Sequence, residues 1–169
     1  MAAAKPQSEN SQLPVPVVMW RDIFALVDQG RSKVEDYPIL EALVIEQAGR
    51  HPGGLACLVI IPSTASPPPD HVRRAISDVL ARLAPKLRCL CWLVEGSGFR
   101  AAAVRATLAG LRMVNRSPYP TLVASDLNEA LRWILPHLAD GKLRFDEIPD
   151  AVESITHGRK SLRPEAMAT

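Results

Sequence analysis

Gly54-Leu55-Ala56-Cys57-Leu58-Val59-Ile60-Ile61-Pro62 is the stretch on which the fold turns. Seven apolar residues stand between a glycine and a proline, with no polar residue to mark an outer face. That is how a central strand covered on both sides reads. The run is the longest of its kind in the chain, and it falls far short of the roughly 20 residues a membrane span needs. A second run, Leu87 to Glu95, has the same character. Between the two, Val72, Ile76, Val79, Leu80 and Leu83 recur at helical spacing until Pro85 stops them, which predicts an amphipathic helix.

The pattern continues in both directions. Upstream, Val15 to Val27 is rich in Val, Ile, Phe and Trp, and Arg21-Asp22 is a bend that divides it into two short strands. Pro14 and Pro16 put its start at a sheet edge, because proline cannot donate to a ladder. A helix begins near Ser32-Lys33-Val34-Glu35, or slightly later at Asp36 with Pro38 in its first turn. It carries Leu40, Leu43, Val44 and Gln47 on one face and ends at Gly49. Downstream, Gly96-Ser97-Gly98 leads into a helix with Ala101, Val104, Leu108, Leu111 and Asn115 on one stripe. Thr121 to Ser125 is a short strand. Asp126-Leu127-Asn128-Glu129 has the form of a capping box, opening a helix with Ala130, Ile134 and Leu138 facing inward. Strands alternating with helices imply βαβ units. The expected fold is an α/β domain with a mostly parallel sheet of four or five strands and about four helices. It occupies residues 14–140, between a mobile arm over 1–13 and a charged tail over 141–169. In that tail Phe145, Ile148, Val152 and Ile155 make at most one short helix.

Composition narrows the class. The 169 residues are 47% hydrophobic and 22% charged, enough for a real core and against a disordered chain. Aromatic residues are only 5%, which argues against a base-stacking surface and, with a net charge of +2, against nucleic acid. The N-terminal residues lack the apolar core of a signal peptide. Cys57, Cys89 and Cys91 fall inside strand-like runs, so a reducing cytoplasm is the simplest context and small buried side chains their simplest role. Their spacing does not suit zinc. His51, His71, His137 and His157 are scattered with no nucleophile beside them. The chain therefore reads as non-enzymatic, with no cofactor and no metal.

The element order, the Pro/Ser loop after the first central strand, and the passage Trp92-Leu93-Val94-Glu95-Gly96-Ser97-Gly98-Phe99-Arg100-Ala101 together resemble the STAS-like fold. This is the anti-sigma-factor-antagonist group that includes the SpoIIAA-like proteins, and the likeness spans roughly Val15 to Leu138. It implies a regulatory protein–protein interaction module of the bacterial cytoplasm. It also implies a phosphorylatable serine after the central strand, a place held here by Ser63, Thr64 and Ser66. The aspartate and glycine of that serine's usual context are missing here, and prolines stand in the loop. Some SpoIIAA-like relatives imply a different role, the binding of apolar or lipid-like ligands.

Two groups of residues stand out as sites. Gly96-Ser97-Gly98-Phe99-Arg100-Ala101 has the form GxGxxA between strand and helix, where amides at a helix N-terminus face an anion. Glu95, however, would repel a pyrophosphate, and the strand is not the first of the fold. A tight glycine turn with Ser97 as cap is the plainer reading, with Glu95 bridging to Arg100. Small-ligand binding by Glu95, Gly96, Ser97, Gly98 and Arg100 is the alternative. The second group is cationic. From His71 to Arg116 nine Lys/Arg face two acids, whereas Asp126 to Thr156 carries seven acids against three bases. Arg105, Arg112 and Arg116 share one helix face, suited to an acidic partner surface or a second copy of the chain. Trp20, on the edge strand, makes homodimerisation through that edge plausible.

Overall fold

A computed structural model describes residues 15–114, 117–138 and 145–161. The expected arm over 1–13 lies outside the described residues, as do Asn115 and Arg116. Five strands form one sheet in the order β1-β2-β3-β4-β5. Strands β1 (Val17–Trp20) and β2 (Ile23–Val27) make an antiparallel hairpin around Arg21-Asp22. Arg21 adopts a φ of 54°, unusual for a residue with a side chain. Its guanidinium lies 5.1 Å from the Trp20 ring and 2.6 Å from Glu147. Strands β3 (Leu55–Ile61), β4 (Leu87–Val94) and β5 (Thr121–Ala124) follow in parallel, with Leu58 between Ala25 and Cys91.

Each neighbouring parallel pair is joined by a helix: α1 (Tyr37–Arg50), α2 (Asp70–Leu83) and α3 (Phe99–Val114). Right-handed crossovers between strands laid down in sequence bring all three to the same face. There they cover Phe24, Cys57, Val59, Leu90 and Trp92. The alternate residues, Ile23, Ala25, Leu58, Ile60, Cys89, Cys91 and Leu93, point the other way. That face is covered by α4 (Leu127–Ile134) and α5 (Ile148–Ser161). Three layers account for the unbroken apolar runs, since strand residues of both parities are buried.

Asp126 caps α4 as expected, its carboxylate accepting the Glu129 N–H at 2.9 Å, but the box does not close: Glu129 accepts the N–H of Ser125, one residue before the cap, at 2.7 Å. One expectation fails. The domain does not end at 140, because α5 completes the second layer with Ile148, Ala151 and Ile155, the last two fully buried. Gly158 lies so close to β1 that a Cβ there would come within 2.8 Å of Val18. Five helices, rather than about four, are therefore structural. Among the described residues no helix is long and apolar enough to cross a membrane.

Candidate functional site

The carboxyl ends of the parallel strands bring together the loops that hold most of the candidate residues. After β4, the Glu95 N–H donates to the Ile61 carbonyl at 2.9 Å and continues the ladder by one rung. Its side chain does not meet Arg100. Both carboxylate oxygens instead accept from Arg159 of α5, at 2.5 and 2.8 Å, in a bidentate pair. This partner raises the Arg159 pKa further.

Gly96 has a φ of +86°, and a Cβ there would stand 2.7 Å from the Ser63 Cβ. Only glycine fits where the turn crosses the Pro/Ser loop. Gly30 packs against the same loop, with room for no Cβ against Ser66. Arg105 holds the turn itself: its Nη2 donates to the carbonyls of Val94 at 3.2 Å and Gly96 at 3.1 Å. The residue before α3 is Gly98, with a φ of +90°, and its carbonyl accepts the Ala102 N–H at 3.0 Å. Glycine, not Ser97, thus stands at the helix cap. Ser97 and Arg100 are exposed on the braced turn. Phe99, the first residue of α3, is 91% exposed.

Ser63, Thr64 and Ser66 are exposed, while Ala65 between them is buried and its N–H closes a turn on the Pro62 carbonyl. Helix α2 opens at Asp70, so none of the three hydroxyls stands at its N-terminus. A phosphate on them would lie outside the field of that helix end, which is confined to its first turn.

Four of the nine bases in the cationic block are committed inside the chain. Arg73 pairs with Asp70, and Arg82 grips Glu41 at 2.7 and 2.8 Å. Arg88 donates to the carbonyls of His137 and Gly53. Of the three arginines expected to share a docking face, Arg105 is spent on its own turn. The side chain of Arg112 and the whole of Arg116 lie outside the described residues. Trp20 is buried although β1 is the sheet edge.

Between α2 and α3 runs an open groove of about 450 Å³, lined by Asp70, Arg73, Arg74 and Ser77 on one side and Ala106, Thr107 and Gly110 on the other. Phe99, Ala103, Ala106 and Gly110 recur at spacings of four, three and four, so one stripe of α3 runs from the exposed ring into the groove. Nothing in the sequence pattern marked this groove, because small residues on a helix carry no charge or periodic apolar signal.

The three cysteines do not converge. Cys57 faces the α1–α3 layer, and Cys89 and Cys91 face the opposite one. Burial pushes all three thiols up to about 12, so each is a protonated, small core side chain. Among the described residues, no group of three or more His, Cys, Asp or Glu is placed to hold a metal ion. No family model, no curated protein and no solved structure matches this chain.

Proposed function

We propose that the chain is a non-enzymatic protein-interaction module, of the kind its STAS-like and SpoIIAA-like resemblance implies, and that it docks an acidic helical segment of a partner protein in the groove between α2 and α3. The observation that carries this reading is Phe99, an almost fully exposed ring at the start of α3, on the same helical stripe as the groove residues Ala106 and Gly110 and beside a turn braced by Arg105, Ser63 and Arg159. Burying a phenylalanine is worth roughly 1.5–3 kcal/mol, and a rigid anchor loses little freedom when it is covered. Aromatic and arginine side chains are also the commonest anchors of interfaces.

The groove suits a helix. Ala106 and Gly110 let another backbone approach closely, and Arg74 of α2, across from them, favours a carboxylate. The test is association with whatever protein co-purifies from the source cells. Phe99→Ser and Arg74→Glu should each remove the same partner while the circular dichroism spectrum stays that of the parent chain. Retention of that partner by both variants would overturn the reading.

A further inference from the structure

Helix α1 is apolar on both sides. Its inner side, with Tyr37, Leu40, Val44 and Ala48, is buried in the core. On the outer side Pro38, Ala42, Ile45 and Gly49 recur at spacings of four, three and four, with Ile39 beside them. Ile39 and Ile45 are 49% and 48% exposed, and Val34, in the short turn before the helix, is exposed too. Of the four large apolar side chains exposed among the described residues, only Phe99 lies elsewhere. A Cβ on Gly49 would meet nothing within 4 Å, so this side of the helix is open. A helix that is apolar all round is ordinarily covered all round.

The charges point to what covers it. A lipid surface calls for Lys and Arg around an apolar stripe, and Glu35, Glu46 and a single Arg50 stand there instead. Within α1, Arg50 holds Glu46 at 2.7 Å and Arg82 of α2 holds Glu41 at 2.7 Å, so the helix suits no strongly charged partner. Its two ends, however, are opposite in sign: Glu35 and Asp36 precede the helix and Arg50 closes it. Two copies of α1 laid antiparallel bring the acidic end of each against the basic end of the other, with their dipoles opposed. The residue spacing fits the same register. Ile39 stands three residues before Ala42 and Ile45 three after it, so a two-fold axis at Ala42 sets Ile39 of one copy level with Ile45 of the other. Glu35 then comes level with Gly49, one residue from Arg50. A guanidinium has donors enough to hold Glu46 and a second carboxylate. Ala42 and Gly49 are small and let the backbones close.

We infer that this face binds a second copy of the chain, α1 against α1 in antiparallel fashion about Ala42, closing a two-fold dimer. The surface is separate from the α2–α3 groove, and Phe99 takes no part in it.

Sedimentation equilibrium of the full chain, from about 1 μM to about 1 mM, should show a monomer–dimer equilibrium. Ile45→Lys, at a half-exposed position, should weaken it at least about tenfold with the circular dichroism spectrum unchanged. Phe99→Ser should leave it as it is. Ala42→Cys should join two copies by a disulfide on mild oxidation, since the three native thiols are buried. Gly49→Cys should not, because its two thiols would stand about 20 Å apart along the paired helices. A chain that stays monomeric throughout would overturn the inference, as would a dimer that Ile45→Lys leaves intact. Loss of the dimer in Phe99→Ser would move the contact to α3, and cross-linking by both cysteines would overturn the antiparallel register. A different protein, captured by the parent and lost by Ile45→Lys while the pure chain is monomeric, would give the face to that protein instead.

Discussion

Arg159 in the last helix holds Glu95 at the end of β4 with both guanidinium nitrogens, across 64 residues of chain. Each side chain retains about a third of its exposure, so the pair works through geometry more than through a dry environment. Arg159→Ala and Glu95→Gln should each cost about 1 kcal/mol in urea unfolding. The double variant should cost less than the sum of the two. Full additivity would show that the contact contributes nothing.

The glycines around that turn are not equivalent. A Cβ on Gly98 meets open space, whereas one on Gly96 collides with Ser63. Gly98→Ala should therefore cost about 1 kcal/mol, from the positive φ alone. Gly96→Ala adds overpacking of about 1–3 kcal/mol. Equal losses for the two would mean that the Pro/Ser loop yields freely and does not brace the turn.

Arg105 and Arg100 stand five residues apart in α3 with opposite roles. Arg105→Ala leaves two carbonyls of the β4–α3 turn without their donor and should cost about 1–2 kcal/mol. Arg100→Ala, at an exposed position, should stay within about 0.5 kcal/mol of the parent. Any loss of association in Arg105→Glu must accordingly be judged against its loss of stability, which Arg74→Glu avoids.

Alkaline pH should weaken the fold through its core. In the folded chain the three thiols are pushed up to about 12 by burial, against about 8.5 in an unfolded chain. Groups raised on folding contribute stability that is complete below the unfolded value and is lost as pH climbs towards the folded one. The unfolding free energy should therefore fall between about pH 8.5 and pH 12, by up to ~1.4 kcal/mol per pH unit for each thiol. Tyr37 adds to the slope above about pH 10. Cys57→Ala should flatten the profile measurably; an unchanged slope would mean that its thiol ionises in place.

Much of this architecture is legible in the chain because the signals are local. Leu55–Ile61 is bounded by its own glycine and proline, α2 repeats its apolar residues every three or four positions, and Asp126 meets its cap partner three residues on. What escaped is non-local or silent. Ile148, Ala151 and Ile155 are spaced among Asp146, Glu147, Asp150 and Glu153, so the average polarity of the segment hides a narrow buried stripe. Arg159 has no sequence neighbour that points to Glu95, and Glu95 with Arg100 five residues on was the pair that proximity suggested.

The pairing of α5 with β1 also has a bearing on the order of synthesis. The hairpin β1–β2 leaves the ribosome well before α5, yet Val18, Ile23 and Ala25 are covered by a layer that includes Ile148, Ala151 and Ile155. That apolar sheet face stays bare while β3, β4 and β5 are added beside it, because α4 and α5 follow them in the chain. Helices α1 to α3 can settle on the opposite face as each crossover is completed. The nascent protein thus carries a half-finished sheet, open to chaperones and to its neighbours, until α4 and then α5 emerge and close it.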